Sequence, residues 1–371
     1  MFNNIKILLQ KRNNFTIKKQ RLFILVILFY YIFSLNHVIN GGIFYDDWSL
    51  TVGFLSDLTF KDKFKDLVLK TFLTRPIGGL YLTFLTEFGK NDYIYIFINS
   101  SFWLLASYII VNSFDLLFSE NSKRIIFLTL LFPSFASTMI FSPVTQTLGV
   151  MSIFFWSLSL IFSKKKNYFF TIILLIISVL TYELSIVLLL FNIFLLIENN
   201  KKKNLLKKFI KTSVIFLFVT FGIIDFQFFI TKNMGYTGSL KYAFFIENNQ
   251  IIFEEDFFIN IKKYFFKPIT LIFYDIPELL LKSLFFLKIN IVNILFPIVF
   301  LILIFLKIDI ENKVIFFSKE KFYLLFLCIC FSVIGVFLVY LIVSSVPQVN
   351  GYYNRGLVGL FICFAIFLGL I

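Results

Sequence analysis

Apolar runs of helix length, separated by short charged breaks, dominate this chain. They cover about 22–38, 93–117, 125–139, 146–162, 168–180, 184–197, 215–230, 289–306, 322–343 and 357–371. None shows the period-two alternation of a membrane β-strand, so the pattern predicts an all-α polytopic membrane protein with about ten transmembrane helices. Residues 39–92 form a long first external loop. Within it, Phe60, Phe64, Leu67, Val68 and Phe72 share one helical face, while Lys61, Lys63, Lys65 and Lys70 fall largely elsewhere. That spacing predicts an amphipathic helix lying in the interface, with Asp57, Asp62 and Asp66 on its solvated side. A second apolar piece, 77–88, follows Arg75-Pro76 and is short for a span, so it reads as a surface or re-entrant helix. A mixed external segment after 230 carries Glu254, Glu255 and Asp256, and its later half, 264–285, reads as interfacial. No repeat or linker divides the chain. It reads as one transmembrane domain, with a core over 22–198 and later spans over 209–371.

Charge sets the direction of the runs. Basic residues precede the first run (Lys6, Lys11, Arg12, Lys18, Lys19, Arg21) and recur at Lys123-Arg124, Lys164-Lys165-Lys166, 201–211 and 307–321. If 77–88 does not cross, all these clusters fall on one side, as the positive-inside rule requires; if it crosses, 164–166 and 201–208 change sides. The first arrangement is preferred, with a cytoplasmic N-terminus. The first run lacks a small-residue cleavage site and reads as a signal anchor. The last run is short for a span, as expected of a truncated chain.

Composition narrows the class further. The chain has 371 residues, 59% hydrophobic and 15% charged, with a mean hydropathy of +0.89, far from a soluble domain. A net charge of +14 would ordinarily raise a nucleic-acid partner. Here the lysines are accounted for by the loops between spans, so lipid is the expected partner and nucleic acid is not. Cys328, Cys330 and Cys363 sit inside apolar runs and His37 is the single histidine. A disulfide framework and a histidine-based metal site are therefore not expected.

In this topology the unusual polar groups gather on the external side. Tyr45-Asp46-Asp47-Trp48 places two adjacent carboxylates between aromatic residues at the membrane surface. Carboxylates near hydrocarbon are costly and tend to be retained for function, and low-dielectric surroundings raise their basicity. The same side holds Arg75, Ser142-Pro143-Val144-Thr145-Gln146, Thr181-Tyr182-Glu183 and Asn350-Gly351-Tyr352-Tyr353-Asn354-Arg355. The link carrying Glu183 is too short to leave it in bulk water, so it faces a cavity or a partner. Asp115 and Asp225 read as lying near span ends, which leaves the span interiors nearly bare of charge. A carrier or channel needs polar groups through the bilayer depth. A one-sided cluster suits a reaction at the outer interface, with Asp46 or Asp47 as general base on an acceptor hydroxyl and arginines holding a leaving phosphate. Arg75, Gln146, Tyr182, Glu183, Tyr353 and Arg355 are the candidate substrate contacts. A divalent cation at Asp46 and Asp47 is the one cofactor considered, and two carboxylates without histidine are a weak metal signal.

At these residues the chain resembles the GT-C superfamily of integral-membrane glycosyltransferases. The resemblance rests on the acidic pair in the first external loop, the surface helices and the Arg75-Pro76 step. The Asp46-Asp47-Trp48 form is most similar to the bacterial O-antigen glucosyltransferases, the GtrII-like proteins. The resemblance covers the topology over 22–197 well and the remainder loosely. It implies a polyprenyl-phosphate-sugar donor, a saccharide or lipid-linked acceptor, and the outer face of a bacterial cytoplasmic membrane. It also implies that one of Asp46 and Asp47 is the catalytic acidic residue and that Arg355 stands where a donor-phosphate ligand would. The alternatives are a lipid-linked saccharide flippase or other transporter, and an O-antigen polymerase or ligase. The latter tend to rest on a large late external loop with arginine and histidine, and the external segments here hold no histidine.

Overall fold

A computed structural model describes residues 26–28, 30–31, 58–71, 75–88, 92–114, 117–131, 147–197, 205–233, 244–247, 250–253, 270, 274, 319–342 and 358–370. It is a helical protein. The helices are α1 (Phe60–Asp66, continued by a π turn, Leu67–Thr71), α2 (Pro76–Leu85, continued by a 3₁₀ turn, Thr86–Phe88) and α3 (Asp92–Ser113). Then come α4 (Glu120–Leu131), α5 (Thr147–Lys164) and α6 (Tyr168–Thr181). A 3₁₀ turn, Glu183–Leu188, leads into α7 (Leu189–Ile197), followed by α8 (Leu205–Asn233), α9 (Lys319–Ile342) and α10 (Val358–Leu370). One departure from an all-helical chain is a two-stranded antiparallel ribbon, β1 (Phe244–Glu247) with β2 (Gln250–Phe253), paired in the register Phe244 to Phe253.

Local chemistry explains where several helices begin and end. Thr59 caps α1, its hydroxyl accepting from the Asp62 amide and donating to the Asp62 carboxylate. Pro76 opens α2 at a position where its missing N–H is no loss. Between α5 and α6, Lys166 takes a left-handed φ of 59°. Its amide donates to the Ser163 carbonyl and the Asn167 amide to the Phe162 carbonyl, at 2.9 Å each. That is the double hydrogen bond of a Schellman ending. The Asn167 side chain then caps α6 by accepting from the Phe170 amide. The triple lysine is thus a tight reversal between two antiparallel helices.

Contacts sort the helix ends into two sets. The Lys164 ammonium donates to the Asn112 carbonyl at 3.0 Å, so α3 and α5 end together and run parallel. α6 runs back along α5, with Thr171 beside Ser163 and Ser178 beside Ser152. α7 returns toward the lysine end, where Asn192 reaches Ser159 and Ser163. α10 runs the same way, from Gly359 beside Val187 to Gly369 beside Ile126, whereas α9 runs oppositely, with Cys328 near Leu190 and Gly335 beside Val187. Tyr30 of the first apolar run donates to the Ser100 carbonyl of α3 at 3.1 Å.

The interior holds Trp103, Trp156, Tyr95, Phe114, Phe191 and Phe194, all buried. It is stitched by polar groups. Trp156 donates to Asn192 Oδ1 at 2.9 Å, and Asn192 Nδ2 donates to the Ser159 and Ser163 hydroxyls. The outside is apolar: Phe218 of α8 is 74% exposed and Tyr323 of α9 is 63% exposed, among Phe221, Phe226, Phe229, Phe331 and Leu338. Among the described residues, two helical stretches are long and apolar enough to cross a membrane, Thr147–Lys164 and Glu320–Leu338. The first is central and the second peripheral. In lipid, apolar contact gives no net driving force between helices, so such stitches and close packing choose the neighbours.

The helices over 92–113, 147–164, 168–181 and 358–370 lie where apolar runs predict them, but two expectations change. Lys63 is not on a solvated face: it is buried, donating to the Thr86 carbonyl at 3.3 Å and to Glu87 at 3.0 Å, which fastens α1 to the end of α2. The run 184–197 begins as a 3₁₀ turn rather than an α-helix. The expected span at 289–306 lies outside the described residues.

Candidate functional site

At the end away from the lysines, α2 lies across the tip of the α5–α6 pair. Gly78 permits this approach: a Cβ there would stand 2.7 Å from the Thr181 carbonyl oxygen and 3.2 Å from Leu148 Cδ2. Gly78→Ala is therefore expected to lower stability by about 1–3 kcal/mol through overpacking against backbone. The thermal midpoint of the purified variant checks this.

The docking brings Arg75, which precedes Pro76, to the tip of α6. Its Nε–H donates to both carboxylate oxygens of Glu183 at 2.9 Å each. The guanidinium carbon lies 4.5 Å from the centre of the Tyr182 ring. The side chains are 16% and 21% exposed, so the pair is shielded without being sealed. Tyr182 is extended, with φ −165° and ψ 138°, between the end of α6 and the 3₁₀ turn. This reversal sends successive side chains to different tasks. Tyr182 offers its ring face to the cation, an attraction of about 0.5–2 kcal/mol, and Glu183 offers its charge.

A second polar group lies nearby on α2, α3 and α5. The Thr147 hydroxyl donates to Asn99 Oδ1 and lies 3.4 Å from the Tyr81 hydroxyl. Burial pushes the Tyr81 phenol up to about 12. It remains a neutral donor at physiological pH. Leu67, Leu82, Leu85, Tyr95 and Leu148 form the apolar floor, with Tyr81 and Tyr182 packed against it.

Of the site residues expected from sequence, Arg75, Tyr182 and Glu183 are brought into contact. Asp46, Asp47, Gln146, Tyr353 and Arg355 lie outside the described residues. Glu183 meets a partner, and that partner is Arg75. Sequence reasoning missed Gly78, Tyr81, Asn99, Thr147 and Ser152. The signal for Ser152 was present: small polar residues at 152, 159 and 163 recur along one face of an apolar helix, the pattern of an interhelical seam. Among the described residues no group of three or more His, Cys, Asp or Glu side chains is assembled for a metal. No family model matches this chain, and no curated protein or solved structure shows significant similarity to it.

Proposed function

We propose that the chain is a polytopic, GT-C-like membrane glycosyltransferase. It moves a sugar from a polyprenyl-phosphate donor to a saccharide or lipid-linked acceptor on the extracytoplasmic face of a bacterial cytoplasmic membrane. It has about ten spans and a cytoplasmic N-terminus. The observation that carries this reading is the Arg75–Tyr182–Glu183 cluster at the end of the bundle opposite Lys164-Lys165-Lys166. With the lysines at the cytoplasmic surface, the 14 residues of α6 rise only about 21 Å. The hydrocarbon layer is about 30 Å thick. The cluster then lies in the outer half of that layer, about 9 Å below its outer edge.

In the reaction, Asp46 or Asp47 accepts the proton of the acceptor hydroxyl as its oxygen attacks the anomeric carbon. The bond from that carbon to the phosphate oxygen breaks, polyprenyl phosphate leaves with the electron pair, and configuration inverts. Arg75 and Arg355 meet the donor phosphate. Glu183 holds Arg75, and Gln146, Tyr182 and Tyr353 are further candidate substrate contacts. The test is to supply the purified protein with a set of polyprenyl-phosphate sugars and acceptors. Release of polyprenyl phosphate coupled to a new glycoside is expected, and hydrolysis-free inertness toward every donor overturns the reading.

Orientation is tested separately. Lys165→Cys, in a background lacking Cys328, Cys330 and Cys363, is expected to resist an impermeant thiol reagent on intact cells. Labelling there would reverse the topology.

A lipid-linked saccharide transporter is the second reading, and Asp225 favours it. This carboxylate lies within α8, eight residues before its end at Asn233, and charge within a span commonly marks a path. Transfer of a labelled lipid-linked sugar across proteoliposomes, without release of polyprenyl phosphate, would establish that reading instead.

A further inference from the structure

We infer that Tyr81 reads the sugar of the donor: its phenol donates a hydrogen bond to a ring hydroxyl of the sugar whose phosphate meets Arg75. The inference rests on the glycosyltransferase reading and adds to it a residue that sets which sugar is accepted. Three polar groups stand in line here. Asn99 of α3 and Thr147 of α5 are fully buried, and the Thr147 hydroxyl donates to Asn99 Oδ1. A hydroxyl has one proton to give, so that of Thr147 is committed. The Tyr81 hydroxyl stands 3.4 Å from it, beyond the roughly 2.5–3.0 Å of a well-made bond between hydroxyls. The contact is loose, and the phenol proton can turn to a better acceptor. Tyr81 is also partly exposed, so of the three groups it is the one that a ligand can approach.

The ring that carries this hydroxyl is held. It packs on the same apolar floor as Tyr182 and meets the Phe102 ring edge-on, with centroids 6.3 Å apart and planes at 78°. A neutral donor on a fixed aromatic ring, over an apolar floor, is the kind of polar group that orients a ligand in a site. Its place along α2 selects the ligand's part. Tyr81 follows Arg75 by six positions, which is about 9 Å of helix rise. It therefore addresses the groups that adjoin the phosphate rather than the phosphate itself. Those groups are the lipid chain and the sugar, and only the sugar presents hydroxyl oxygens as acceptors. Gln146, a candidate substrate contact, directly precedes Thr147 in the chain.

The experiment uses the full chain with a polyprenyl-phosphate hexose that the wild type turns over, the set of its monodeoxy analogues, and polyprenyl phosphate alone. In the wild type, one monodeoxy donor is expected to show a KM about fivefold above that of the parent, or about 1 kcal/mol. Tyr81→Phe keeps the ring and removes the hydroxyl. It is expected to raise the parent KM by the same factor, to stop distinguishing the parent from that analogue, and to leave the thermal midpoint in place. Tyr81→Met serves if the phenylalanine variant does not fold, and is expected to lose the same discrimination. Full discrimination against every deoxy donor in Tyr81→Phe, or a change confined to the acceptor KM, would overturn the inference. Binding is read on the same proteins as the rise in thermal midpoint with each lipid. The sugar-bearing lipid is expected to stabilise the wild type more than polyprenyl phosphate does, and Tyr81→Phe to erase most of that excess. Wild-type inertness toward every donor would sink the glycosyltransferase reading. The inference would then stand on that excess and its loss in Tyr81→Phe, or fall if either is missing.

Discussion

Replacing Asp46 or Asp47 by asparagine is expected to abolish nearly all turnover at one of the two positions. A general base contributes roughly 10²–10⁴-fold to rate. Asparagine keeps the shape of the side chain and removes its ability to take the acceptor proton. Donor binding should be unchanged in the same variant, because the proposed mechanism assigns the donor phosphate to Arg75 and Arg355. The second aspartate is expected to give a smaller loss, expressed in the acceptor KM, if it orients the acceptor. A divalent cation shared by the two carboxylates predicts something different: both variants fail together, and a chelator inactivates the wild type. Measuring kcat, both KM values and chelator sensitivity separates these outcomes. Wild-type turnover in both variants would remove the pair from the mechanism.

The second large effect is expected at Arg75. Arg75→Ala leaves the Glu183 carboxylate beneath α2 without its 2.9 Å donor. Breaking a buried pair costs about 3–5 kcal/mol; the partial exposure of this one places the expected loss at about 2–3 kcal/mol. The same substitution should weaken donor binding by about 1.5–3 kcal/mol, the worth of a charge-assisted hydrogen bond. Stability and binding can be separated, since replacing both members of an ion pair by apolar groups of similar size can be nearly neutral. The double variant Arg75→Met with Glu183→Leu is therefore expected to regain much of the thermal midpoint and none of the donor affinity. Recovery of donor affinity in that double variant would assign Arg75 to docking α2 alone. Arg75→Lys should restore neither fully, because an ammonium lacks the planar group that lies over Tyr182.

The dependence of both predictions on distant partners shows which parts of this protein are local. That 147–164 and 168–181 are helices follows from apolar runs bounded by the Lys164-Lys165-Lys166 turn and the Asn167 cap. That Lys164-Lys165-Lys166 forms the turn between them follows from the Lys166 and Asn167 geometry at that place in the sequence. The suspicion attached to Glu183 was also a local deduction, from a carboxylate in a link too short to reach water. Its partner was not deducible. Arg75 is 108 positions away, and nothing in either neighbourhood specifies the other. Lys63 shows the converse error: its helical spacing predicts a solvated face, yet Glu87 and the end of α2 cover it.

The sequence by itself thus determined the helical class and most helix positions, and it singled out Arg75, Tyr182 and Glu183, which meet at the end of the bundle opposite Lys164-Lys165-Lys166. Periodicity, capping and charge placement are properties of single segments, and the chemistry of each segment is enough to set them. Tertiary structure alone decided that α2 docks on α6 through Gly78, that Arg75 finds Glu183, and that Tyr81 meets Thr147. The physical reason is that apolar helix faces are nearly interchangeable in their affinity for one another or for lipid. Which faces meet is settled by a few close approaches and satisfied polar groups, and each of these exists only once two remote segments share a place.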